Sequence, residues 1–224
     1  MVMTYTDNVR RIWVSLAVSC FVIASILLVV RSHAFADSGS IPGLTIDVNP
    51  MFVDTTASNY NLLAASQCIN AGHPDSTDSD GTRADIGPYP YLNTYSGPTW
   101  YISATAGNDT TATGASTAPF KSIQSAINFV TTAGDSVTVA AGTYVENVNF
   151  RGRNIKVVGE DRETTIIDGN QNGSVVTFEN HENNLAVLDG FTITNSTQGI
   201  YIHGSTTGFA SPSISNCDLN QIND

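Results

Sequence analysis

The chain has 224 residues, 20 acidic against 9 basic, for a formal charge of −11, and only 13% of it is charged. So few charged side chains exclude an exposed helical bundle, the regular apolar runs exclude a disordered chain, and the acidic balance excludes nucleic acid as a partner, since phosphate binding needs a basic face. What remains is an all-β, turn-rich protein whose polarity comes from Asn, Thr, Ser and Gly.

The first element is a targeting segment. Arg10 and Arg11 precede an apolar run from Ile12 to Val30, and Ala34-Phe35-Ala36 offers small residues where a signal peptidase reads them. This layout predicts a secretory signal over residues 1–36, cleaved after Ala36. The run is also long enough to span a bilayer, so an uncleaved anchor is the competing reading. Beyond this signal or anchor no membrane partner is expected, and the location is secreted or cell-surface. Cleavage removes three Arg and one Asp, which leaves 6 basic and 19 acidic residues, net −13. Cys20 leaves with the signal, while Cys68 and Cys217 read as two small buried thiols rather than a disulfide.

Residues 37–98 read as a small Gly/Pro/Asp-rich module, closed by a linker from Pro88 to Pro98. From residue 99 the texture changes. Trp100 to Ile102 reads as a short strand, and Pro119 to Val130 places Phe120, Ile123, Ala126, Ile127 and Val130 on one face of an amphipathic helix. Ser116 or Thr117 is its candidate cap, and Gly134 its stop. From Ser136 on, short apolar runs are broken by Gly, Asn and Asp: 137–139, 145–150, 155–158, 164–167, 175–178, 186–193, 199–202 and 214–219. Strands that short cannot each bury a face alone, but successive laps of chain can cover one another. Two internal repeats support stacking. Leu188, Phe191 and Ile193 recur as Ile214, Cys217 and Leu219, and Val176 and Phe178 recur as Ile200 and Ile202. The expected architecture over 99–224 is a parallel β-helix whose first lap is covered by the helix. No cover is evident after Leu219, so either something else caps that end or the chain is part of a longer protein.

Alternation along a strand then assigns faces. Ile155 and Val157 point inward and Lys156 outward; Val148 and Phe150 inward, Asn147 and Asn149 outward; Ile200 and Ile202 inward, Tyr201 and His203 outward. Glu146 shares the inward parity of Val148, so its carboxylate is expected to be partly buried and bonded to backbone N–H groups of a neighbouring turn.

Several segments taken in order resemble a known family. "WYIS" (100–103), the loop at 107–109, "PFKSIQSAI" (119–127), "VAAGTYVENV" (139–148), "GEDRETTIIDG" (159–169) and "LDGFTITN" (188–195) look like the opening coils of pectin-lyase-like right-handed β-helix proteins of bacterial surfaces. "GTYVEN" is also similar to the start of pectin methylesterases. Residues 47–91 resemble the segment that usually closes such a helix, here placed before it. The resemblance implies an extracellular polysaccharide as partner. No catalytic residue carries over, because the catalytic motifs of these enzymes belong to later coils.

The candidate site residues follow. Outward Tyr201 and His203 make an amphipathic spot suited to stacking on sugar rings. Arg151, Arg153 and Lys156 lie in a basic cluster that also includes Arg162, and Arg forks match the carboxylates of an anionic sugar. Interleaved Glu160, Asp161 and Glu163 give the alternative, a self-neutralising surface. In "DSTDSDGTRAD", Asp75, Asp78, Asp80 and Asp85 are candidate calcium ligands of an irregular loop, the only cofactor expected; a plain acidic loop is the alternative. The first reading is therefore a non-catalytic secreted or surface protein that binds or adheres to carbohydrate. The second is the N-terminal part of a polysaccharide lyase or pectin esterase whose catalytic coils lie beyond residue 224. A structural spacer between surface domains is the third.

Overall fold

The computed structural model describes residues 48–205 and 208–222. The segment read as a signal or anchor, 1–36, lies outside them. All described residues belong to one compact unit. Its strands are β1 (Phe52–Asp54), β2 (Asn59–Leu62), β3 (Thr99–Ile102), β4 (Ser136–Val139), β5 (Gly142–Val145), β6 (Val148–Asn149), β7 (Lys156–Gly159), β8 (Thr165–Asp168), β9 (Ser174–Phe178), β10 (Val187–Asp189), β11 (Thr192–Ser196), β12 (Gln198–Ile202), β13 (Gly204–Ser205), β14 (Gly208–Phe209), β15 (Ser213–Ser215) and β16 (Asp218–Ile222). One helix, α1 (Ile123–Phe129), stands among them.

Apart from the antiparallel hairpins β1–β2 and β13–β14, every strand pairing is parallel. The first sheet runs β3-β4-β7-β10-β15, the second β5-β8-β11-β16 and the third β6-β9-β12. From β4 onward the chain visits first, second and third sheet in turn, so each lap adds one strand to every sheet. The sequence repeats are this register: Leu188 pairs with Ile214, Ile193 with Leu219, Val176 with Ile200 and Phe178 with Ile202. Inward residues form continuous columns, with Phe150 over Phe178 at a ring-centroid distance of 4.2 Å. Phe120, Phe150, Phe178, Phe191, Ile167 and Leu188 are all fully buried. Each such side chain contributes roughly 1.5–3 kcal/mol relative to exposure, an amount no isolated three- to five-residue strand recovers.

Three runs read as single strands, 145–150, 186–193 and 214–219, are each two strands with a corner. In the 186–193 run the corner is Gly190, at φ +80°, a conformation L side chains rarely adopt. It stacks on Gly159 of the preceding lap so closely that a Cβ on Gly159 would lie 2.2 Å from the Gly190 carbonyl oxygen.

The helix is shorter than the expected 119–130. Phe120 forms a parallel bridge to Ile102, and its backbone bonds to Tyr101 and Ser103, so it extends the first sheet instead of starting α1. Neither Ser116 nor Thr117 caps it. The N-cap is Ser122, which makes no side-chain cap bond. Glu146 does that work from the β5–β6 corner, accepting the Ile123 N–H at 2.8 Å and the Gln124 N–H at 3.0 Å. The buried carboxylate thus meets backbone N–H groups, as its parity requires. Nor is α1 a simple amphipathic plug, because all seven of its residues are buried. One side lies against β3, β4 and β6. The polar side is covered by the 48–98 segment: Asn128 Nδ2 donates to the Ala64 and Ser66 carbonyls at 2.9 and 2.8 Å, and Asn70 Nδ2 donates to the Asn128 carbonyl. Leu62, Cys68 and Ile69 join the same core as Phe120 and Val137. The stretch read as a linker is likewise tied down, with Tyr91 Oη bonded to the Ala112 carbonyl and Asn93 Nδ2 to that of Thr113. Cys68 and Cys217 are both free thiols.

Candidate functional site

The third sheet carries one row of outward side chains across its strands, Asn149 beside Thr177 beside Tyr201, by direct register. Parallel strands lie ~4.8 Å apart, so the row is a ladder with one group per lap. Two residues further on, just past the strand ends, come Arg151, Glu179 and His203. The Tyr201 and His203 rings stack at 5.7 Å with planes 7° apart. Asn149 joins the two rows: its Nδ2 donates to Glu179 Oε1 at 2.9 Å, and its Oδ1 accepts the Arg151 N–H at 2.8 Å. A polar cleft of about 360 Å³ opens here, lined by Gln67, Asn149, Arg151, Gly152, Glu179 and Asn180. Its far wall, Gln67, comes from the 48–98 segment. A second cleft of about 330 Å³ lies by the β1–β2 hairpin, between Val53, Asn59, Tyr91, Leu92 and Thr110.

The structure thus places Tyr201 on the third sheet with His203 stacked beside it just past the end of β12, while Arg151 follows β6 and turns its guanidinium to Ile69 and Asn128. Lys156 is exposed on β7 of the first sheet, aligned with Ser136 and Val187, and shares no face with Arg151. Arg153 follows in the corner between β6 and β7, with Nε buried and unpartnered. The basic run is therefore not one surface cluster, because the chain turns from one sheet to another within it. Nor do the interleaved acids neutralise it. Arg162 pairs with Asp218 at 3.6 Å, while Glu160 and Asp161 accept backbone N–H groups.

Arg151 is half-buried at φ 54°. Nη1 donates to Asn128 Oδ1 at 2.7 Å, and Nη1 and Nη2 both reach the Ile69 carbonyl at 3.2 Å. Burial, then the nearby Arg153 and Arg83, hold its guanidinium down to about 10. Glu146 is pushed up to about 7 by burial, against the two helix N–H groups that favour its charge.

In the Asp75–Asp85 loop three of the carboxylates accept hydrogen bonds from the segment itself. Asp78 Oδ2 accepts the Asp85 N–H, and Asp80 accepts Thr82 on one oxygen and the Asn93 N–H on the other. Asp85 accepts the Asn70 and Tyr91 N–H groups at 2.7 and 2.8 Å. Asp75 is exposed beside His73. Three carboxylates therefore staple 70–93 to itself, and among the described residues no three His, Cys, Asp or Glu side chains are grouped to hold a metal ion. Asp85 is pushed up to about 6 by burial and by Asp78 and Asp80, and the N–H bonds only partly offset this.

Asn149 was legible as outward from strand parity, and Thr177 and Glu179 obey the same rule. Gln67 had no local signal, since only folding sets it opposite Asn149.

A family described as a protein of unknown function (DUF1565) matches residues 105–152, which span α1, the capping Glu146 and Arg151. That family is associated with right-handed β-helix proteins. No curated protein and no solved structure matches the chain. Among the described residues no helix is long and apolar enough to cross a membrane.

Proposed function

We propose that the chain is a secreted or cell-surface protein, built as a right-handed parallel β-helix of the pectin-lyase-like kind, that binds an extended polysaccharide without cleaving it. The cyclic order of three parallel sheets supports the architecture, and parallel crossovers are right-handed in nearly all proteins. The observation that carries the binding reading is the ladder Asn149–Thr177–Tyr201, ending in the Tyr201–His203 stack and opening into the polar cleft. Amide, hydroxyl and carboxylate groups repeated once per lap suit a polymer with repeated hydroxyls, and a flat aromatic pair offers a platform for a sugar ring.

The test is a glycan array followed by calorimetry on the secreted chain. Tyr201→Ala and His203→Ala should each weaken the best ligand about tenfold, the equivalent of ~1.4 kcal/mol, with unchanged melting. Absence of any glycan ligand would overturn the reading. One observation favours the enzyme alternative: Arg151 and Glu179 line the same cleft, which sets a cation beside a proton-transfer group. Turnover of pectate or alginate, seen as unsaturated-product absorbance, would establish it.

A further inference from the structure

Two arginines grip one turn of the 48–98 segment. Arg151 donates to the Ile69 carbonyl, while Arg83 donates Nε to the Gly72 carbonyl at 2.7 Å and Nη2 to that of Ala71 at 3.5 Å. Arg153, two residues beyond Arg151, has its Nε shut away from solvent with no hydrogen-bond partner. Six basic side chains lie among the described residues, and three of them meet at this seam. Yet the ion pairs among the described residues are His73–Asp75 and Arg162–Asp218, so none of the three has a carboxylate within pairing distance. The nearby carboxylates, Asp85 and the fully buried Glu182, each have both oxygens on backbone N–H groups. Burial lowers Arg151 and Arg153, and the three cations repel one another. A buried, uncompensated charge is costly, and a buried N–H without an acceptor adds to that cost. Such an arrangement in a chain of charge −11 is balanced most simply by a small anion, and the polar cleft lined by Arg151 and Gly152, with Glu179 on its wall held by Asn149, lies beside it.

We propose that the seam binds one small oxyanion, a carboxylate, sulfate or phosphate, on the unused guanidinium N–H groups of Arg153 and Arg151 with Arg83 at the rim. The bound anion fastens the 48–98 segment to the stacked laps. This site does not depend on the polysaccharide reading. Its ligand is either a free inorganic ion or the carboxylate of an acidic sugar, since planar and tetrahedral oxyanions both fit an arginine fork.

The full chain in chloride buffer is titrated with sodium sulfate, sodium phosphate and sodium glucuronate, each to 5 mM at constant ionic strength, by calorimetry and thermal melting. One anion per chain is expected, with a melting rise of roughly 2–6 °C. Arg153→Gln should abolish both signals, and without anion it should melt no lower than the parent, because it removes an uncompensated charge. Arg83→Gln should weaken binding about tenfold. Response to sulfate or phosphate assigns a free ion, response to glucuronate alone assigns an acidic sugar, and either supports the site. No heat and no shift with any probe overturns it, as does undiminished binding by Arg153→Gln. Should that variant fail to fold, undiminished binding by Arg83→Gln overturns it instead.

Discussion

Glu146 makes the cap of α1 open to titration. Its carboxyl sits near 7 in the folded protein against an ordinary 4.5, with burial the main cause. Between those values the folded chain keeps a proton that the unfolded chain has lost, so raising pH through this window favours unfolding. This is opposite to the behaviour of a salt-bridged carboxylate, whose depressed value stabilises at neutral pH. The interval of about 2.5 pH units corresponds to about 3 kcal/mol lost between pH 4.5 and pH 8. Asp85, pushed up to about 6, acts in the same direction, so the wild-type slope alone does not isolate Glu146. Glu146→Gln does. Its amide accepts one helix N–H but presents its own NH₂ to the other, which costs roughly 1–3 kcal/mol at pH 4.5, and it has no proton to lose. Urea melts followed by far-ultraviolet circular dichroism at pH 4.5, 6 and 8 should show a steep decline for the wild type and a shallower one for Glu146→Gln. The reasoning is refuted if both slopes are equal, or if wild-type stability rises toward pH 8.

Stacking predicts unequal costs along the inward columns: Leu188→Ala in the first sheet and Ile193→Ala in the second, fully buried between laps, should each lose about 3–4 kcal/mol, whereas Leu219→Ala, stacked on Ile193 but 52% exposed, should lose under about 1 kcal/mol. Equal losses in chemical denaturation would contradict the register. Gly159→Ala should lose about 2–4 kcal/mol because its Cβ meets the Gly190 carbonyl, and Gly173→Ala, with open space around it at φ +65°, about 1 kcal/mol. Melting of Gly159→Ala at the wild-type temperature would disprove the close approach. Chelator should leave the melting temperature of the protein unchanged, since Asp78 Oδ2 and both oxygens of Asp80 and Asp85 are held by N–H groups and the Thr82 hydroxyl; a clear drop would assign calcium to the 75–85 loop.

Much of the second half is legible in the amino-acid sequence. The recurrence of Leu188, Phe191 and Ile193 twenty-six residues on is a packing constraint written directly into composition, because each lap must place an apolar group over the last. Alternation likewise gave the outward positions of Asn149, Tyr201 and Lys156. The corner at Gly190 was harder to see, since a short apolar run reads the same whether the chain continues or turns within it. The basic run misled for the same reason: residues close in sequence diverge when a corner moves the chain to the next sheet.

Sequence by itself determined the all-β class, the lap length, the inward columns and the inward parity of Glu146, because these depend on periodicities of two residues and of one lap. Tertiary structure alone decided that the 48–98 segment covers the polar side of α1, that its aspartates staple a loop, and that Arg83 meets Arg151 and Arg153. Those contacts join residues up to some eighty positions apart through hydrogen bonds and charge, which leave no period in a sequence and exist only once both partners are brought to one place.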